Sequence, residues 1–260
     1  MTTETPARSR LFTRDDGRDR IAFPFAKGIL SALAAVGIQL GVTFVLVLIL
    51  AIAAYTGTHK APSINPGDPF ILAIELLSYV FGGWFAWSQL RRGGRTVFRR
   101  LSSRDVRTIL YGVGALIVVR IATGLLLAAT HQTNHVQTGF EHFDVTSKVP
   151  GVTALAIALT VLTAVVVAPL VEEIVFRGLL FGAFAARTGV LAGAFIVALL
   201  FGAAHVDVVL FPTLAALGFI SALAYAASGN LWTSVTLHAL NNAVGAAALI
   251  AMTYGHHGGR

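Results

Sequence analysis

Two adjacent carboxylates and a guanidinium interrupt an apolar stretch at Glu172-Glu173-Ile174-Val175-Phe176-Arg177. On a helix Glu173 and Arg177 are four positions apart and share a face, so they can pair. Glu172 points about 100° away, which leaves one carboxylate neutralised and one free. The bland reading is that all three charges only join helices, but a single pair would do that without the second Glu. Downstream, His205 follows Phe201 by four positions and Asn242 follows His238 by four. An imidazole and an amide one helical turn apart project from one face and can both donate to one oxygen. A lone histidine in apolar surroundings is usually packing or a satisfied hydrogen bond. Two of them, one with an Asn partner, downstream of a paired Glu, weaken that reading.

These residues have to be brought together by the elements that carry them. Glu172 and His205 lie on either side of a break near Thr188-Gly189, each about 24 Å from it along a helix. A helical hairpin would place them at the same depth. His238 and Asn242 lie about 13 and 19 Å from the turn at Gly229-Asn230 and join the others within a turn or two if the helices tilt.

The surroundings are those of a membrane. Of 260 residues, 56% are hydrophobic and 12% charged, and the mean hydropathy is +0.77. The charged share is about half that of a soluble domain. Apolar runs at 28–55, 69–90, 108–130, 151–168, 190–205, 209–228 and 231–254, with a further charged-interrupted helix at 170–187, predict an all-α, polytopic transmembrane bundle of seven or eight spans. The choice between seven and eight turns on Pro169, which removes a backbone donor and should kink or break the helix there. The domain plan is a basic tail over 1–27 and a transmembrane domain over 28–254, with its candidate catalytic core at about 151–250.

The net charge of +7 is uneven. Residues 1–27 hold Arg8, Arg10, Arg14, Arg18, Arg20 and Lys27, and residues 91–107 hold Arg91, Arg92, Arg95, Arg99, Arg100, Arg104 and Arg107, against Lys60 alone in 56–68 and Lys148 alone in 131–150. This alternation follows the positive-inside rule and predicts a multi-pass cell-membrane protein with a cytoplasmic N-terminus. The basic segments meet anionic lipid rather than nucleic acid. With no cysteine, disulfides, thiolate nucleophiles and Cys-ligated zinc are excluded.

Glu172-Glu173-x-x-x-Arg177, Phe201-x-x-x-His205 and His238-x-x-x-Asn242 resemble, in order, the three motifs of the CAAX prenyl endopeptidase family, which includes bacteriocin-processing and abortive-infection relatives. The resemblance covers roughly 165–245; the first 150 residues carry none. It implies an intramembrane endopeptidase acting on a membrane-associated or lipidated protein or peptide. Glu172 would activate water with help from His205, His238 and Asn242 would stabilise the oxyanion, and Glu173 and Arg177 would organise the site.

A divalent metal such as zinc remains an alternative, since Glu172, His205 and His238 could furnish three ligands. Asn is a poor zinc ligand but a good amide donor, which favours the oxyanion role for His238 and Asn242. Glu172 and His205 alone are too few for a closed zinc site, so the expectation is a site of oriented water with no tightly bound metal, although relatives are commonly labelled metalloproteases. Rival classes are a non-catalytic membrane immunity or scaffolding protein and a small transporter; no inverted repeat supports transport.

Three further features invite readings. His131-x-x-x-His135, with Glu141 and His142 nearby, has metal-like spacing but lacks the Glu after the first His that zincins use. Ala226-Ala227-Ser228-Gly229 is only faintly like a rhomboid serine motif and sits at a turn. Glu75 and Arg120, each within an apolar run, are expected to pair between the second and third spans.

Overall fold

The computed structural model describes residues 21–59, 65, 67–93, 96–132, 135 and 150–255. Most of the basic tail, together with Glu141 and His142, lies outside them. The described residues form seven helices and no strand. These are α1 (Phe25–Thr58), α2 (Pro69–Arg92), α3 (Ser103–Ala129), α4 (Pro150 to Thr188), α5 (Val190–Ala204), α6 (Phe211–Ser228) and α7 (Leu231–Gly255). Lipid solvates their flanks, as large apolar side chains such as Leu40, Phe44, Trp84 and Leu125 stand exposed. Among the described residues, five helices are long and apolar enough to cross a membrane: α1, α2, α3, α6 and, from Thr153, α4. At 15 residues, α5 reaches only about 22 Å, short of a ~30 Å hydrocarbon core.

Pro169 does not reverse the chain. α4 runs through it as five consecutive segments: Pro150–Val161, a π-helical Leu162–Val167, Ala168–Glu173, a π-helical Ile174–Phe181, and Gly182–Thr188. Every junction keeps right-handed helical backbone. The wider π turn upstream accommodates a residue that has no N–H to give. The alternative of eight spans therefore closes in favour of seven helices.

One end of the bundle is sewn together by the α2–α3 connection. Ser102 and Asp105 form a capping box at the start of α3. Arg99 reaches both Asp105 oxygens at 3.0 and 3.1 Å and donates to the Ser228 carbonyl at 2.7 Å. Leu231 N–H donates to Val97 O at 2.8 Å, and the Asn230 amide to Arg99 O at 3.1 Å. Gly229, at φ 66°, makes the left-handed turn that ends α6. Ser228 itself is buried and donates to Ala224 O, so it serves the turn. Phe23 N–H bonds Gly182 O, bringing the chain before α1 to the α4 end of the bundle.

α2 packs on α1 and α4, whereas α3 packs on α6 and α7. This separation overturns the expected Glu75–Arg120 pair: helices adjacent in sequence need not be neighbours in the bundle. Arg120 instead donates to the Asn241 carbonyl on α7. The double charge swap Glu75→Arg with Arg120→Glu is thus expected to give no more membrane-inserted protein than the worse single variant. Recovery to wild-type level on immunoblots of isolated membranes would reinstate the pair.

Candidate active site

Glu172 and Glu173 close the short α-helical segment between the two π turns of α4. Glu173 is fully buried and its Oε1 lies 3.0 Å from Arg177 Nη1, also fully buried. The same oxygen accepts from His238 Nδ1 at 3.0 Å. Arg177 Nη2 donates to Gly218 O at 3.1 Å on α6, and its guanidinium lies over the Phe201 ring at 4.6 Å. One ion pair thus ties α4 to α6 and α7 and meets α5 through an aromatic face.

Phe201, which the sequence singled out only by its spacing, is the hub of this packing. Its ring lies 4.7 Å from that of His205 and 5.3 Å from that of His238. Its carbonyl accepts from His205 Nδ1 at 2.8 Å. His205 is the residue that ends α5, and the chain turns at once through Val206, at φ 52°. Asp207 holds that turn: it accepts from Leu210 N–H at 2.9 Å and meets His135 Nε2 at 3.1 Å. His135 is therefore engaged with a carboxylate, where the spacing had suggested a metal ligand.

Both histidines have Nδ1 against an acceptor, so Nδ1 carries the proton and, in the neutral ring, Nε2 presents a lone pair. Both Nε2 atoms face Glu172 Oε2, at 3.8 Å for His238 and 4.0 Å for His205. That oxygen is buried and has no hydrogen-bond partner. Side-chain exposure is 18% for Glu172 and His205 but 2% for His238, so one edge of the cluster is open. Three acceptors around one small space call for a water, a proton or a cation between them. The donor set suits zinc, and Nδ1 bonds to a carboxylate and a carbonyl are the usual outer support of ligating histidines. As placed, no three such groups among the described residues enclose a metal ion.

Asn242 spends part of its amide on its neighbours. Its Nδ2 donates to Ala164 O at 2.9 Å, and its Oδ1 accepts from Asn241 at 3.2 Å. The backbone explains why Ala164 O is free to accept. The Ala168 N–H goes to Thr163 O, and the next donor that a π turn would offer Ala164 is at position 169, a proline. Asn242 fills the gap with one of its two N–H groups and keeps the other.

A further contact comes from outside the three motifs. The Tyr79 hydroxyl of α2 donates to Glu172 Oε1 at 3.2 Å. Sequence reasoning missed it, and the one available signal was Tyr79 four positions after Glu75 on the same apolar helix.

Residues 154–244 match the family described as Type II CAAX prenyl endopeptidase Rce1-like. The chain is also 31% identical over 87 residues to "Putative membrane peptidase YdiL" of Bacillus subtilis (strain 168), across 34% of this chain and 36% of that protein. The chain thus spans about a third of that relative's length. No solved structure matches it significantly. The matched residues 154–244 are the ones that carry Glu172, His205, His238 and Asn242.

Proposed function

We propose that this membrane protein is an intramembrane endopeptidase that hydrolyses a peptide bond in a membrane-associated or lipidated protein or peptide. The observation that carries this reading is Glu172 Oε2, buried, without a partner, and faced by two histidine nitrogens. A water placed there gives its proton to Glu172 as its oxygen attacks the scissile carbonyl carbon. His205 Nε2 accepts a hydrogen bond from the water's other O–H, which stays on the oxygen, and so fixes the water's direction. The carbonyl oxygen becomes an oxyanion, met by the second Nδ2–H of Asn242 and, when His238 carries a proton on Nε2, by that N–H. The tetrahedral centre then collapses, the C–N bond breaks, and the proton on Glu172 passes to the departing amine. A zinc ion held by Glu172, His205 and His238 would supply Lewis-acid activation of the water.

By the positive-inside rule the basic segments support a cytoplasmic N-terminus and a cytoplasmic 91–107 segment. The bonds between 97–99 and 228–231 join the α6–α7 turn to the second of these segments, which supports a cytoplasmic turn as well.

The test compares membranes containing wild-type protein with membranes containing Glu172→Gln at equal expression. It adds two fluorogenic peptides, one ending in a farnesylated CAAX sequence and one unprenylated. Full-length proteins that accumulate only with the variant, or peptide cleavage lost only with the variant, are expected. Identical membrane proteomes and peptide profiles would favour a non-catalytic role instead.

A further inference from the structure

We infer that Tyr79 is a positioning residue for Glu172, a part of the site supplied by α2 from outside the family-matched region. The inference rests on the peptidase reading above. A free carboxylate has two equivalent oxygens and turns easily about the bond that carries it. Here the two are made different. Oε1 is held by the Tyr79 hydroxyl at 3.2 Å, while Oε2 is left without a partner and directed at His205 and His238. One donor therefore decides which oxygen faces the histidines and in which plane the carboxylate lies.

The helix that carries Tyr79 is built for close approach at this point. Gly83 follows Tyr79 by one turn, and a Cβ at Gly83 would stand 2.5 Å from a methyl of Val171, the residue before Glu172. Only the missing side chain lets α2 lie this near α4. The Gln39 side chain of α1 also hydrogen-bonds Tyr79. The phenol is thus gripped between α1 and α4, with its hydroxyl toward Glu172. Ser78, beside it, is spent on Glu75 O and offers no substitute donor.

The test is Tyr79→Phe, which keeps the ring and removes the hydroxyl. It is assayed on the protein or peptide that wild type cleaves and Glu172→Gln does not. The expected result is a fall in kcat of roughly 10- to 100-fold, the worth of a hydrogen bond to a charged group, with KM within about twofold and an unchanged melting temperature in detergent. Unchanged kcat would overturn the inference. So would a rise in KM alone, which would make Tyr79 a substrate contact. A fall in activity matched by a fall in melting temperature would make it a packing residue and overturn the inference equally. Failure of Glu172 to matter at all is a separate result, which removes the peptidase reading and this inference with it.

Discussion

Glu172→Gln and Glu173→Gln are expected to fail in opposite ways. The first replaces an oxygen that has no hydrogen-bond partner and keeps an acceptor for Tyr79. The folded protein should accumulate at wild-type level, and cleavage should vanish because an amide cannot take a proton from water. The second breaks the anchor of three helices. Arg177, with no solvent exposure, would keep its charge and lose the carboxylate that compensates it. Breaking a buried pair by removing one partner costs about 3–5 kcal/mol, a large part of a typical domain's stability. His238 would lose its Nδ1 acceptor in the same step. Glu173→Gln should therefore lower the amount of protein in membranes and its melting temperature in detergent, with activity falling as a consequence. Equal protein levels and equal residual activity for the two variants would contradict this division of labour.

Asn242→Ala should show two losses that a second substitution can separate. If the free N–H of Asn242 meets the oxyanion, turnover should drop roughly 10²–10³-fold with little change in substrate binding. The other N–H satisfies Ala164 O, and leaving that carbonyl orphaned should cost about 1–3 kcal/mol of stability. Pro169→Ala restores a backbone N–H within reach of Ala164 O in the π register. In the Pro169→Ala background Asn242→Ala should then cost less stability and still lose turnover. Melting curves and single-turnover rates on the four proteins of this cycle check both halves. Turnover that recovers along with stability would make Asn242 purely a support for α4.

The parts of this site that could be read from sequence were those fixed by helical period. The Glu173–Arg177 pair is an i,i+4 contact within one helix and needs no knowledge of neighbours. The common depth of Glu172 and His205 follows from nearly equal distances to a single turn. What was not legible depended on which helices touch. Glu75 and Arg120 looked like partners because their spans are consecutive, yet α2 and α3 pack on different helices. Tyr79 was invisible for the same reason, since only the approach of α2 to α4 at Gly83 makes it a neighbour of Glu172. Asn242 was read as an oxyanion donor; the carbonyl it serves, Ala164 O, is free only because a π turn and a proline coincide, and periodicity cannot register a change of period. The number of spans turned on that same local irregularity at Pro169.

Each π turn in α4 is, in chain-length terms, an α-helix with one residue too many. The segment Ala168–Glu173 is held between two such surplus residues, at Leu162–Val167 and Ile174–Phe181. Removing one residue from the first would let that stretch relax into ordinary helix while rotating everything beyond it by about 100°. The helix would survive and the carboxylates would face the wrong neighbours. Length in this region is therefore part of the site in the way residue identity is, and a change in one π turn would need an opposite change elsewhere in α4 to return Glu172 to the histidines.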